Sequence, residues 1–192
     1  MNDFTFYFIL GWKHIISLDA MDHLLFITAL TSIYLIQNWK QVLILVTAFT
    51  IGHSATLVLS VYDLIRFSSN WVEFLIPLTI VLTAALNVVQ RNNQSKALQL
   101  NYYAALFFGL VHGMGFANTI RFMLAKSQSI SVPLLGFNLG LEAGQLVVVL
   151  VILLAAFILV TKAGMQQKRW VYVLSAYAGI SGLLMCVQRW PF

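Results

Sequence analysis

Four histidines carry most of the chemistry that this 192-residue sequence offers, and none of them lies in a polar connecting stretch. His14 and His23 flank the start of one apolar run, and His53 and His112 lie deep inside two others. Asp22 adjoins His23, and Glu142 sits within a further apolar run. An ionisable group among hydrocarbon is costly and normally faces a bundle interior, where it serves a function. Imidazole together with carboxylate suits divalent transition cations of borderline hardness, namely nickel, cobalt or zinc. The candidate metal ligands are therefore His14, Asp22, His23, His53, His112 and Glu142. A single cysteine, Cys186, excludes an internal disulfide and any multi-cysteine metal site. A transported ion must also leave its site, and a few imidazole, carboxylate and amide ligands release it more readily than a closed thiolate cage.

Helical spacing groups further polar residues around these six. Thr47, Thr50, His53 and Ser54 fall on one helix face, as do Asn138, Glu142 and Gln145, and Thr79, Thr83 and Asn87. His112 lies in GLVHGMGFAN, with Asn118 and Thr119 two turns on. Four apolar runs thus carry one polar stripe each, and the economical packing points the stripes at a common interior. Asp19, Thr50, Ser54, Asn118, Asn138 and Gln145 are the supporting polar residues of such a site. Consecutive residues point about 100° apart on a helix, so Asp22 and His23 share one site only at a helix start. His14 joins them if the segment before it folds back. The plainer alternative is that each histidine or amide simply bonds between helices, for roughly 0.6–2 kcal/mol. Gly109, Gly113 and Gly115 read as close-packing positions.

The elements that must hold these groups are membrane helices. Hydrophobic residues make up 60% of the chain and charged ones only 9%. Soluble domains carry roughly 25% charged residues, so this chain cannot coat a soluble globule. A span needs about 20 apolar residues. Residues 20–36, 41–61, 71–89, 101–124, 133–161 and 170–188 supply six runs, the first slightly short and the fifth long. The expected fold is an all-α membrane protein: a single domain of six transmembrane helices plus an N-terminal interfacial or re-entrant helix over 4–17. A seventh span requires Lys13 and His14 to be tolerated inside it. No cleavable signal precedes the first run, which is expected to act as its own uncleaved signal. The 11 Lys and Arg residues are scattered through connections, which speaks against a nucleic-acid partner. Lys13, Arg66, Arg121, Lys126 and Arg189 fall on one side and the other six on the opposite side, which places both termini outside.

The segments GWKHIISLDAMDHLLFITAL, VTAFTIGHSATLVLS, FFGLVHGMGFAN and FNLGLEAGQ resemble, in the same order, the motifs of the HupE/UreJ family of bacterial membrane proteins. The resemblance covers most of residues 10–150. It implies a multi-pass protein of the bacterial inner membrane and a secondary permease for nickel or cobalt without its own ATPase. The family's first-helix motif maps onto His14, Asp22 and His23, its later histidines onto His53 and His112, and its acidic fifth-helix position onto Glu142. The nickel-permease form HPxxGxDH is not reproduced: its Pro and Gly are missing and SLDAM fills the gap, so the chain resembles a divergent branch.

Three other functions stay open on the residues. Histidines with carboxylates can hold a catalytic zinc with an open water position, as in an intramembrane hydrolase. His53 and His112 on facing helices can serve as axial haem ligands. A membrane subunit without chemistry of its own leaves no sequence mark. The expected partners are a divalent metal ion (nickel, cobalt or zinc) and the lipid bilayer, with homo-oligomerisation compatible with either.

Overall fold

The computed structural model describes residues 2–17, 20–89, 94–124 and 130–192, with side chains over 101–123 in the third range. Among the described residues every regular element is helical. Seven helices follow one another: α1 Asp3–Ile16, α2 Met21–Thr31, α3 Trp39–Val61, α4 Ser69–Val89, α5 Gln94–Leu124, α6 Ser131–Ala156 and α7 Gln167–Gln188. Among the described residues, five stretches are long and apolar enough to cross a membrane: Ile36–Val61, Ser69–Val89, Asn101–Met123, Ser131–Lys162 and Gln167–Gln188. Their outward faces are apolar too, with Ile44, Ile51, Leu150 and Val187 exposed, as a surface bathed in lipid permits. Continued by a π-helical turn over Phe157–Lys162, α6 reaches 32 residues. At 1.5 Å per residue that is roughly 48 Å, well beyond a ~30 Å hydrocarbon core, in keeping with the long fifth run. Gly164 then turns the chain into α7 with a left-handed φ of 73°.

The first apolar run departs from expectation. Residues 20–36 do not form one span, because α2 stops at Thr31 after 11 residues, roughly 16 Å. The hydroxyls of Thr28, Thr31 and Ser32 bond back to the carbonyls of Leu24, Ile27 and Ala29. Only the Ala29 carbonyl among these is in the last turn; the Thr28 and Thr31 carbonyls accept from the Ser32 and Tyr34 N–H, and the backbone becomes extended at Leu35. A short 3-10 turn, Ile36–Asn38, already belongs to the next crossing.

Nor does α1 turn back, as a re-entrant segment would. It is capped by Asn2, whose side chain accepts from the Thr5 N–H, and it lies along α6 in the same direction. The backbones of Phe4, Phe8 and Trp12 pass Gly136, Gly140 and Gly144 in turn. The second helix runs the same way, parallel to α4. His23 at its start stands beside His112, which bonds Thr79, while Ala29 and Ser32 near its end meet Asn87. Thus α1 and α2 form two laterally offset halves of one path, broken between Ile16 and Met21. Asn87 locks the second half: its amide donates to the Ala29 carbonyl at 2.7 Å and to Ser32 and Ser175 Oγ at 3.2 Å.

Candidate metal centre

The break between α1 and α2 is where the imidazoles gather. His14 lies in the last turn of α1, His23 in the first turn of α2, and His53 in the middle of α3. One ligand atom from each of these three lies within 4.8 Å of the other two. His112, mid-way along α5, packs against His23 with ring centroids 4.9 Å apart. His23, His53 and His112 are buried, and His14 is half-buried at the edge. His14 Nε2, His23 Nε2, both nitrogens of His53 and His112 Nδ1 are buried without a hydrogen-bond partner. Unpaired polar atoms in such surroundings are expensive. Several of these nitrogens converge from different helices.

Neighbours fix which nitrogens carry lone pairs. Asp22 Oδ1 accepts from the His23 backbone N–H at 2.9 Å and from ring Nδ1 at 3.0 Å. A carboxylate has only acceptors to offer, so Nδ1 holds the proton and Nε2 keeps a free lone pair. This carboxylate–histidine pair is the arrangement that orients metal-binding imidazoles. For His112, the Thr79 hydroxyl proton goes to the Ile76 carbonyl at 2.7 Å, leaving Thr79 Oγ1 to accept from Nε2 at 3.0 Å. His112 Nδ1 is therefore unprotonated as well. Two nitrogens of a tetrahedral site at ~2.0 Å bond lengths stand ~3.3 Å apart. The three-imidazole group, at up to 4.8 Å, is wider than that.

A cavity of about 670 Å³ reaches this cluster from the side where α4 begins and α7 ends. His14, His23 and His112 form its floor, and Lys13, Glu73 and Arg189 stand on its walls. Pro77 lies one turn beyond Glu73 in α4 and supplies no N–H to the Glu73 carbonyl. On the far side of the cluster, the Phe26 ring meets Phe49 at 5.1 Å and Phe108 at 5.7 Å. Phe26 and Phe49 also pack on the His112 ring, at 5.1 and 5.2 Å.

The remaining sequence candidates lie elsewhere. Glu142 accepts from Thr47 Oγ1 at 2.8 Å, and Gln145 Oε1 accepts from Thr50 Oγ1 at 2.8 Å. Both pairs tie α3 to α6. Ser54 Oγ donates to the Thr50 carbonyl. Asn138 Oδ1 is buried without a partner. Asn118 stands at the rim, bonded to Ser69 and Arg121. Asp19 lies outside the described residues. Sequence reasoning missed Arg189, whose Nη1 stands 3.3 Å from Asp22 Oδ2 across 167 positions of chain. It also missed the Thr79–His112 bond, although the Thr79 stripe was visible.

Glycines bring the ligand-bearing helices close enough. A Cβ on Gly136 would come within 2.7 Å of the Phe4 carbonyl, and one on Gly140 would overlap the Phe8 carbonyl. The spacing Gly136–Gly140–Gly144 is the small-residue stripe of tight membrane-helix pairs, and it seats α1 so that His14 reaches the cluster. Gly52 and Gly109 do the same between α3 and α5, where added Cβ atoms would strike the carbonyls of Leu106 and Phe49.

No curated protein and no solved structure matches the chain. A family model described as HupE / UreJ protein matches residues 1–191. With that match over nearly its whole length, and with its long apolar helices, the chain is a multi-pass membrane protein belonging to the HupE/UreJ family.

Proposed function

We propose that the protein is a secondary permease for a divalent transition-metal cation, with nickel and cobalt as the cargo its family points to. One observation carries the reading: ring nitrogens of His14, His23 and His53 converge where the α1–α2 path breaks, and His14 and His23 line an open cavity. Interrupted helices that place binding groups in mid-membrane are a recurrent device of secondary transporters. In this reading α1 and α2 together make a sixth crossing. The ion enters the cavity, sheds water, and is taken by the imidazoles of His14, His23 and His53, with His112 beside His23. Asp22 works from behind His23. By the distribution of Lys and Arg the cavity faces outward at the bacterial inner membrane. The Phe26–Phe49–Phe108 stack is the closed inner gate, and Glu142, Thr47, Thr50 and Gln145 line the seam through which the ion leaves after rearrangement.

The test is metal accumulation in cells lacking other importers. His23→Ala and His112→Ala are expected to abolish uptake, and normal accumulation in both would overturn the proposal. A catalytic zinc is the second reading, because three histidines beside an open cavity also make a hydrolytic zinc site. Stoichiometric zinc retained through purification, with no transport in liposomes, would favour it. The Ser54 hydroxyl, already given to the Thr50 carbonyl, is a poor nucleophile for such an enzyme. A haem between His53 and His112 would have to displace Phe49, which packs against both rings.

A further inference from the structure

The feature that neither the family nor the metal site accounts for is a fixed positive charge at the cavity wall. Asp22 turns one oxygen to His23 and the other to Arg189, at 3.3 Å. The Asp22 side chain is 13% exposed and that of Arg189 31%, so solvent screens the pair only partly. Arg189 does not reach this place on a loose tail. Just past it, the Trp190 ring sits edge-on to Phe74 at 5.2 Å, and the Phe192 ring sits edge-on to Trp71 at 5.2 Å. These aromatics pin the segment after α7 to the start of α4, and the guanidinium is held over the cavity that leads to His14, His23 and His112.

A guanidinium stays protonated at any physiological pH. A divalent ion on His23 Nε2 therefore faces an Asp22 whose negative charge is already shared with a resident cation. Like charges across a partly desolvated cavity repel appreciably. In the fold, the guanidinium is also the charged partner that a largely buried Asp22 carboxylate needs. A permease has a second reason for it, because an ion held too tightly is not released.

We propose that Arg189 is a tethered counter-cation that sets the affinity of the histidine site, weakening ion binding so that turnover is possible. The inference rests on the metal-permease reading. Arg189→Gln is expected to bind Ni²⁺ or Co²⁺ more tightly, on the order of tenfold, while transport into liposomes slows because release becomes limiting. Arg189→Lys, which keeps the charge, should return both quantities toward wild type. Trp190→Ala loosens the anchor without removing the charge and should tighten binding by a smaller factor. Titration calorimetry of the full-length protein with each metal salt reads the affinities, and far-UV circular dichroism confirms the helical content of each variant. Unchanged or weaker binding in folded Arg189→Gln, or unchanged binding in Trp190→Ala should Arg189→Gln not fold, overturns the proposal. A wild-type protein that binds neither ion is a different result: it removes the permease reading itself.

Discussion

Asp22→Asn separates the charge of Asp22 from its shape. Asparagine is nearly isosteric, and its Oδ1 still accepts from His23 Nδ1 and from the His23 backbone N–H, now 3.0 and 2.9 Å from the carboxylate. The tautomer that leaves Nε2 free is kept and the negative charge is lost. An ion on Nε2 would stand roughly 6–7 Å from that charge, across the imidazole. Coulomb attraction between a divalent ion and a carboxylate at that distance is about 5 kcal/mol at an effective dielectric constant of about 20. That is an upper bound, because Arg189 offsets part of it. Loss of an outer partner of a metal-binding histidine typically weakens binding about 10–100-fold, or ~1.4–2.8 kcal/mol, and this is the expected effect. Asp22→Ala should lose more, since His23 then also loses its orientation. Co²⁺ gives the decisive readout through its visible absorption bands. If Asp22 acts only from behind His23, the Asp22→Asn spectrum keeps its shape and only the titration midpoint moves. A changed spectrum would mean that a carboxylate oxygen is bound directly. Wild-type affinity in folded Asp22→Asn would refute the account of His23 altogether.

Thr79→Val should weaken Ni²⁺ or Co²⁺ binding by about tenfold if His112 is a ligand, because its Nε2 proton loses an acceptor; Thr79→Ser should restore it, and equal affinities for Val and Ser would exclude this role. Gly140→Val should push α1 off α6, since even a Cβ there overlaps the Phe8 carbonyl; thermal unfolding in detergent is expected to fall by at least the ~1–3 kcal/mol of overpacking, together with loss of the His14 contribution to metal binding. Asn87→Ala should cost ~0.6–2 kcal/mol of stability while leaving metal affinity within twofold, because the α2–α4–α7 tie it makes lies away from the cluster. Asp63 bonds Arg66 and Arg121, and the Arg66 guanidinium holds its carboxyl below the usual carboxylate value. Lowered in the folded state, its contribution is present above the unfolded value of about 4 and is lost as pH falls below it. The melting-temperature gap between wild type and Asp63→Gly, a substitution that suits the φ of 57° there, should therefore be present at pH 7 and narrow toward pH 3.

The sequence alone determined that the chain is helical and belongs in a membrane, because composition and run length are local properties that lipid reads directly. It also singled out the histidines as candidates, since four of four sit in or against apolar runs. Helical periodicity exposed the Thr79 and Asn138 stripes, yet a stripe says which residues share a face and not what that face meets. Only tertiary packing decided that Glu142 pairs with Thr47 while His14 joins His23 and His53. The break that keeps residues 20–36 from forming one helix was hidden because the residues around it, from Thr28 to Ile36, stay largely apolar. Arg189 and Asp22, 167 positions apart, leave no periodic signal in the chain. Glycine stripes and aromatic anchors bring such residues together, and the contacts they create are set by how helix surfaces fit rather than by residue order.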